Sequence, residues 1–111
     1  MSVSRRPDEF ATRSGPGWQE SVWAGKDVFG TSVPMRGRRY LLEAGAIGPN
    51  VTLEAEEAMV YVAAGRGVAR VGAESFPLEP ESVVWISSGA ELVLCAGGEA
   101  LDALVAEAPF E

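Results

Sequence analysis

The chain has 111 residues, enough for one domain and too few for a second core. Nine basic residues against sixteen acidic ones leave a net charge of -7 and a pI near 4.6, so the basic footprint of a nucleic-acid binder is missing. The single cysteine rules out an intrachain disulfide, and the absence of histidine removes His-dependent triads, imidazole metal sites and the usual near-neutral acid–base group.

The first ten residues, MSVSRRPDEF, carry two arginines but no apolar run like that of a signal peptide, so the cytoplasm is the expected location. No stretch approaches the roughly 18 apolar residues of a membrane helix, and no membrane partner is expected. Residues 1–37 are broken by Gly15, Pro16, Gly17, Gly25, Gly30, Pro34 and Gly37. They read as an N-terminal arm packing on the outside of a domain that spans 38–111. Trp18, Val22, Trp23, Val28 and Phe29 give the arm apolar groups that need covering.

From Arg38 onward, short apolar runs alternate with turn signals. Strands are expected at 39–44, 51–54, 58–64, 68–71, 75–78, 83–86, 92–96 and 100–106. The last run is rich in alanine, but Gly97-Gly98 and Pro109 confine it to a length at which an isolated helix is unstable, so a strand is the better reading. Gly65-Arg66-Gly67 reads as a hairpin turn. Many short strands at this spacing indicate an all-β barrel or sandwich.

The segment from Gly45 to Ala106 resembles the cupin superfamily of jelly-roll, double-stranded β-helix barrels, in a single-domain form related to RmlC-like proteins. Gly45 and Gly65 bracket the span of the first cupin motif, with Pro49 where a proline is common and YVAAG at 61–65 similar to Tyr-Val-Leu-x-Gly. PESVVWISSG at 80–89 is similar to the second motif's Pro-Gly-Asp-Val-Val-Tyr-Ile-Pro-Pro-Gly.

The resemblance places the metal-binding histidines at Thr52 and Glu54, or at Val51 and Leu53, depending on the spacer. It places the motif glutamate at Ala58, the third histidine at Leu92 and the asparagine at Ala96. Neither register supplies an imidazole and the family's usual metal ligands are all replaced, so no metal and no cofactor is expected.

A metal-independent enzyme is then the leading expectation, with isomerase, epimerase, cyclase or lyase chemistry on a small apolar or ring-containing metabolite. Glu54 is its candidate acid–base residue, because burial in one register would favour the neutral carboxyl. Tyr40 is a second catalytic candidate. Thr52, Val60, Trp85 and Leu92 are candidate pocket residues, and Arg39, within the cluster Arg36, Arg38 and Arg39, is a candidate clamp for an anionic group. The alternatives are a binding or sensing cupin without chemistry, and a structural or partner-binding barrel.

Alternation along the strand predicts Ala58, Val60 and Val62 inside with Tyr61 outside, and allows Trp85 either face. Cys95, with no cation nearby in sequence, reads as an inert thiol. The surplus of large apolar residues predicts a homodimer. One lysine among nine basic residues suggests a GC-rich bacterial source.

Overall fold

The computed structural model describes residues 11–24, 36–54, 57–87 and 90–108. Within them ten strands form two antiparallel sheets, and the described residues contain no helix. They are β1 (Ala11–Gly15), β2 (Trp18–Ala24), β3 (Arg36–Leu42), β4 (Val51–Thr52), β5 (Glu57–Ala64), β6 (Gly67–Val71), β7 (Glu74–Leu78), β8 (Val83–Ser87), β9 (Glu91–Ala96) and β10 (Leu101–Ala108). The six-stranded sheet runs β1-β2-β3-β10-β5-β8, and the four-stranded sheet runs β4-β9-β6-β7. Two packed antiparallel sheets are what an apolar chain of short strands needs in order to bury one face of each.

Alternation positions the core. In β10, Leu101, Ala103, Val105 and Glu107 are buried, with the residues between them more exposed. The same period places Tyr40 and Leu42 of β3, Ala58, Val60 and Val62 of β5, and Val84 and Ile86 of β8 on the inner face. Strand β10 pairs with both β3 and β5, and so joins the amino-terminal strands to the rest of the sheet. The alanine-rich run is therefore a strand, as the flanking glycines imply. Pro77 is tolerated because β7 is an edge strand.

Two sequence expectations need correction. Residues 11–24 do not lie outside the barrel as an arm: β1 and β2 form a hairpin that extends the six-stranded sheet through β3, with Trp18 opposite Leu42 and Glu20 opposite Tyr40. Pro16-Gly17, one of the breaks in the arm, is the turn of that hairpin. Val28, Phe29 and the remaining arm residues at 1–10 and 25–35 lie outside the described residues, as does the side chain of Trp23.

Gly65-Arg66-Gly67 is not a hairpin either, because β5 and β6 belong to different sheets. The chain passes between sheets there at very close quarters. A Cβ on Gly65, whose φ is +86°, would lie 1.9 Å from the Ala100 carbonyl oxygen.

Gly65→Ala is therefore expected to destabilise the fold by about 2–4 kcal/mol, the sum of left-handed backbone strain and a backbone clash. Gly72, with φ +58° and nothing within 4 Å of where a Cβ would stand, should lose only about 1 kcal/mol on the same change. Urea unfolding midpoints of the two variants measure the difference, and equal losses would contradict the close approach at Gly65.

Candidate functional site

The two cupin-motif regions meet where β4 pairs with β9, with Val51 opposite Leu92 and Thr52 opposite Glu91. The backbone N–H of Leu53 donates to Ala90 O at 3.1 Å and continues the contact. In this register Val51, Leu53, Ala58 and Leu92 are 0–3% exposed members of one hydrophobic core, while Thr52 and Glu54 are exposed. Placing the two hydrocarbons inside costs nothing in polar desolvation, whereas the other register would bury a carboxylate without a partner, a penalty of several kcal/mol.

Glu54 therefore lacks the burial its acid–base role requires, and this is a correction to the sequence reading. Its backbone N–H, not its carboxylate, is engaged, donating to Glu107 Oε2 at 3.1 Å.

The remaining candidates are scattered. Val60 and Leu92 are packed in the core at 0% exposure. Trp85 is 62% exposed, on the outer face of β8. Arg39 faces outward from β3 and makes a two-pronged ion pair with Asp102, at 2.9 and 2.6 Å, which occupies the guanidinium that sequence reading offered as a clamp. Those hydrogen bonds also raise its pKa. Cys95 is half-buried. The structure thus brings Tyr40, Val60 and Leu92 into one core and leaves Thr52, Glu54, Trp85 and Arg39 outside it.

Tyr40 is the one candidate in a polar setting. It is fully buried on the inner face of β3, and its hydroxyl donates to Glu20 Oε2 at 2.5 Å. Arg13 Nη2 donates to the same oxygen at 3.1 Å, and its guanidinium carbon lies 5.4 Å from the centre of the Trp18 ring. Burial, and then the bond to the Glu20 carboxylate, push the Tyr40 phenol well above its ordinary pKa. It is a neutral donor at all physiological pH values.

Further along the same face, a second ionic group forms. Glu107, 1% exposed, accepts from Arg36 Nη2 at 2.9 Å, from Arg38 Nη2 and from the Glu54 N–H. Sequence reading missed Arg13, Glu20 and Glu107. For Glu107 a signal existed: it continues the apolar period of Leu101, Ala103 and Val105, a place for a carboxylate only if cations face it.

A metal centre of the kind common in cupins does not fit this chain. The aligned positions carry hydrocarbons or exposed oxygens. Among the described residues no group of three or more Cys, Asp or Glu side chains converges as a metal would require.

Outside the core, a groove of about 500 Å³ runs between the β1–β2 turn and the ends of β3 and β10. Trp18, Leu41 and Leu42 supply its apolar surface, and Ser14, Gln19 and Glu43 are among its polar groups. Its volume lies within the usual range of small-molecule sites. No helix among the described residues is long and apolar enough to cross a membrane.

The fold is that of the cupins. A predicted oxalate decarboxylase from Thermotoga maritima superposes with a TM-score of 0.75 at 17% identity, over 97% of this chain and 100% of that one. KdgF from a Halomonas species gives 0.70 at 18% identity, over 94% and 92%. An RmlC-like cupin from Shewanella frigidimarina gives 0.72 at 11% identity, over 100% and 94%. No protein-family model matches the sequence. No curated protein matches it either.

Two outcomes follow from this geometry. Elemental analysis of the purified chain should find no stoichiometric iron, manganese, nickel or zinc, and adding these ions should not raise the unfolding temperature; one tightly held equivalent would contradict the donor assignment. Because the raised pKa of Tyr40 means that the folded state keeps a proton the unfolded chain loses, its contribution is fully present below about pH 10 and is lost as pH rises further. Stability should accordingly fall above pH 10 with a slope of up to about 1.4 kcal/mol per pH unit from this group, and Tyr40→Phe should remove that slope. Urea midpoints at a series of alkaline pH values for the two proteins test this.

Proposed function

We propose that this chain is a metal-independent cupin that binds a small, largely apolar molecule at the Trp18 groove and performs no chemistry in its barrel interior. One observation carries the reading: the interior positions that the cupin motifs would use for ligands are filled by the chain's own hydrocarbons, Val51, Leu53, Ala58 and Leu92. Where such a barrel would react, these positions present hydrocarbon in place of acid–base or metal-ligating groups. The groove instead offers the Trp18 indole with polar groups nearby, a combination that suits a ring-bearing ligand with one polar substituent.

A second reading, acid–base catalysis without metal, has one specific observation in its favour. Glu20 is 7% exposed rather than sealed, and it is held by both Tyr40 and Arg13. A carboxylate oriented in this way could exchange a proton with a substrate that reached it. The names of the structural neighbours, which include a predicted oxalate decarboxylase, are compatible with an enzymatic ancestry for the fold.

Nuclear magnetic resonance of the ¹⁵N-labelled chain, titrated with a panel of small aromatic and alicyclic acids and alcohols, separates the two readings. Binding at the groove should shift the Trp18 indole N–H and the amides of Gln19, Leu41 and Glu43. It should be lost when the exposed Ser14 is enlarged to Trp and should survive Glu54→Gln. Turnover of any panel member that Glu20→Gln abolishes would instead establish the catalytic reading and reject the one proposed.

A further inference from the structure

Among the described residues that line the groove beside Trp18, one side chain is charged, the Glu43 carboxylate, and none is a lysine or arginine. Residue 43 is held at both of its backbone groups. Its N–H donates to Gly17 O at 2.8 Å, and its carbonyl accepts from the Ala46 N–H at 3.0 Å, which ties it to the β1–β2 turn and to the loop after β3. Oε2 stands over that turn, 3.6 Å from the position a Cβ on Gly17 would take. The side chain is exposed, and no hydrogen bond or ion pair joins its carboxylate to another residue.

The cations nearest in the fold are engaged elsewhere. Arg13 is paired with Glu20, and Arg39, on the same face of β3 as the groove residue Leu41, is paired with Asp102. The indole lies next to the carboxylate, because Trp18 pairs with Leu42, the residue before Glu43, across strands about 5 Å apart. Glycine at 15 gives the ring its seat: a Cβ there would come within 2.5 Å of the indole Nε1. The ring already takes a cation in this structure, with the Arg13 guanidinium carbon 5.4 Å from its centre.

We propose that the ligand of this groove is an amine, an ammonium group on a short linker from an apolar ring, with the ammonium set against the Glu43 carboxylate and the ring against Trp18 and Leu41. The inference rests on the groove being the binding site and adds the charge that the site selects. An ammonium there meets an unpaired carboxylate at contact and, at longer range, the field of a chain that carries -7. A carboxylate ligand is repelled on both scales and finds no described lysine or arginine in the groove to clamp it. A neutral hydroxyl gains little from either field.

Chemical-shift titration of the ¹⁵N-labelled chain with phenethylamine, phenethyl alcohol and phenylacetate at neutral pH, in low and high salt, tests the proposal. The three probes share a ring and differ in charge. Read at the Trp18 indole N–H, the amine should bind about 2- to 5-fold more tightly than the alcohol, the range of an exposed ammonium–carboxylate contact, and phenylacetate should bind most weakly. High salt should narrow these differences. Glu43→Gln should bring the ratio of amine to alcohol affinity close to one. Glu74→Gln is the control for net charge: Glu74 is exposed on β7, in the other sheet, and its replacement should leave the ratio near that of the native chain.

Equal binding of alcohol and amine at the indole would overturn the inference while leaving the groove as a binding site. An amine preference that persists in Glu43→Gln, or that Glu74→Gln removes as fully, would overturn it too, since net charge alone would then account for the order. Amine-induced shifts spread over the acidic surface without the indole would do the same. If none of the three probes moved the indole, the groove itself would fall as a binding site, and the charge assignment with it.

Discussion

The pairing of Val51 with Leu92 decides more about this molecule than any other contact. It joins the two segments in which a cupin gathers its ligands, and it does so in the register that turns Val51, Leu53, Leu92 and Leu94 inward. Thr52, Glu54 and Glu91 then face out by the period of the strand. A slip of one residue would exchange these sets and submerge Glu54. The hydrophobic gain on one side and the carboxylate desolvation on the other both oppose the slip, so the interior is committed to packing.

With hydrocarbons occupying that end of the barrel, the buried polar groups among the described residues lie on the inner face of the six-stranded sheet. There they pair with one another. Glu20 takes the Tyr40 hydroxyl and an Arg13 N–H, while Glu107 takes Arg36, Arg38 and a backbone N–H from the β4–β5 connection. Groups of this kind are costly to bury singly and tolerable in combination. Their geometry also links elements distant in sequence: Glu107 ties the last strand to β3 and to residue 54, and Glu20 ties the first hairpin to the same β3.

Strand β5 shows how a single short element serves two surfaces. Its inward residues, Ala58, Val60 and Val62, belong to the core, and its outward residues, Met59 and Tyr61, lie on the outer face of the sheet. A strand apolar on both faces is usual where both faces are covered. Here one covering layer is the opposite sheet.

Much of the architecture was legible in the residues. Glycine and proline punctuation located β3 to β10 within a few positions, and alternation correctly separated Val60 and Val62 from Tyr61, because both are local properties of a strand. The absence of histidine and the hydrocarbons near the motif positions already argued against a metal site. What the sequence by itself could not decide was every matter in which one strand needed to know its partner. Whether Val51 and Leu53 or Thr52 and Glu54 face the core depends on β9. Whether residues 11–24 are an arm or a hairpin depends on hydrogen bonds offered by β3. That Glu20 belongs to Tyr40, and Glu107 to Arg36 and Arg38, depends on registers between strands up to 71 residues apart. Local sequence specifies which side chains share a face; only the assembled sheets determine which face is inside and what waits there.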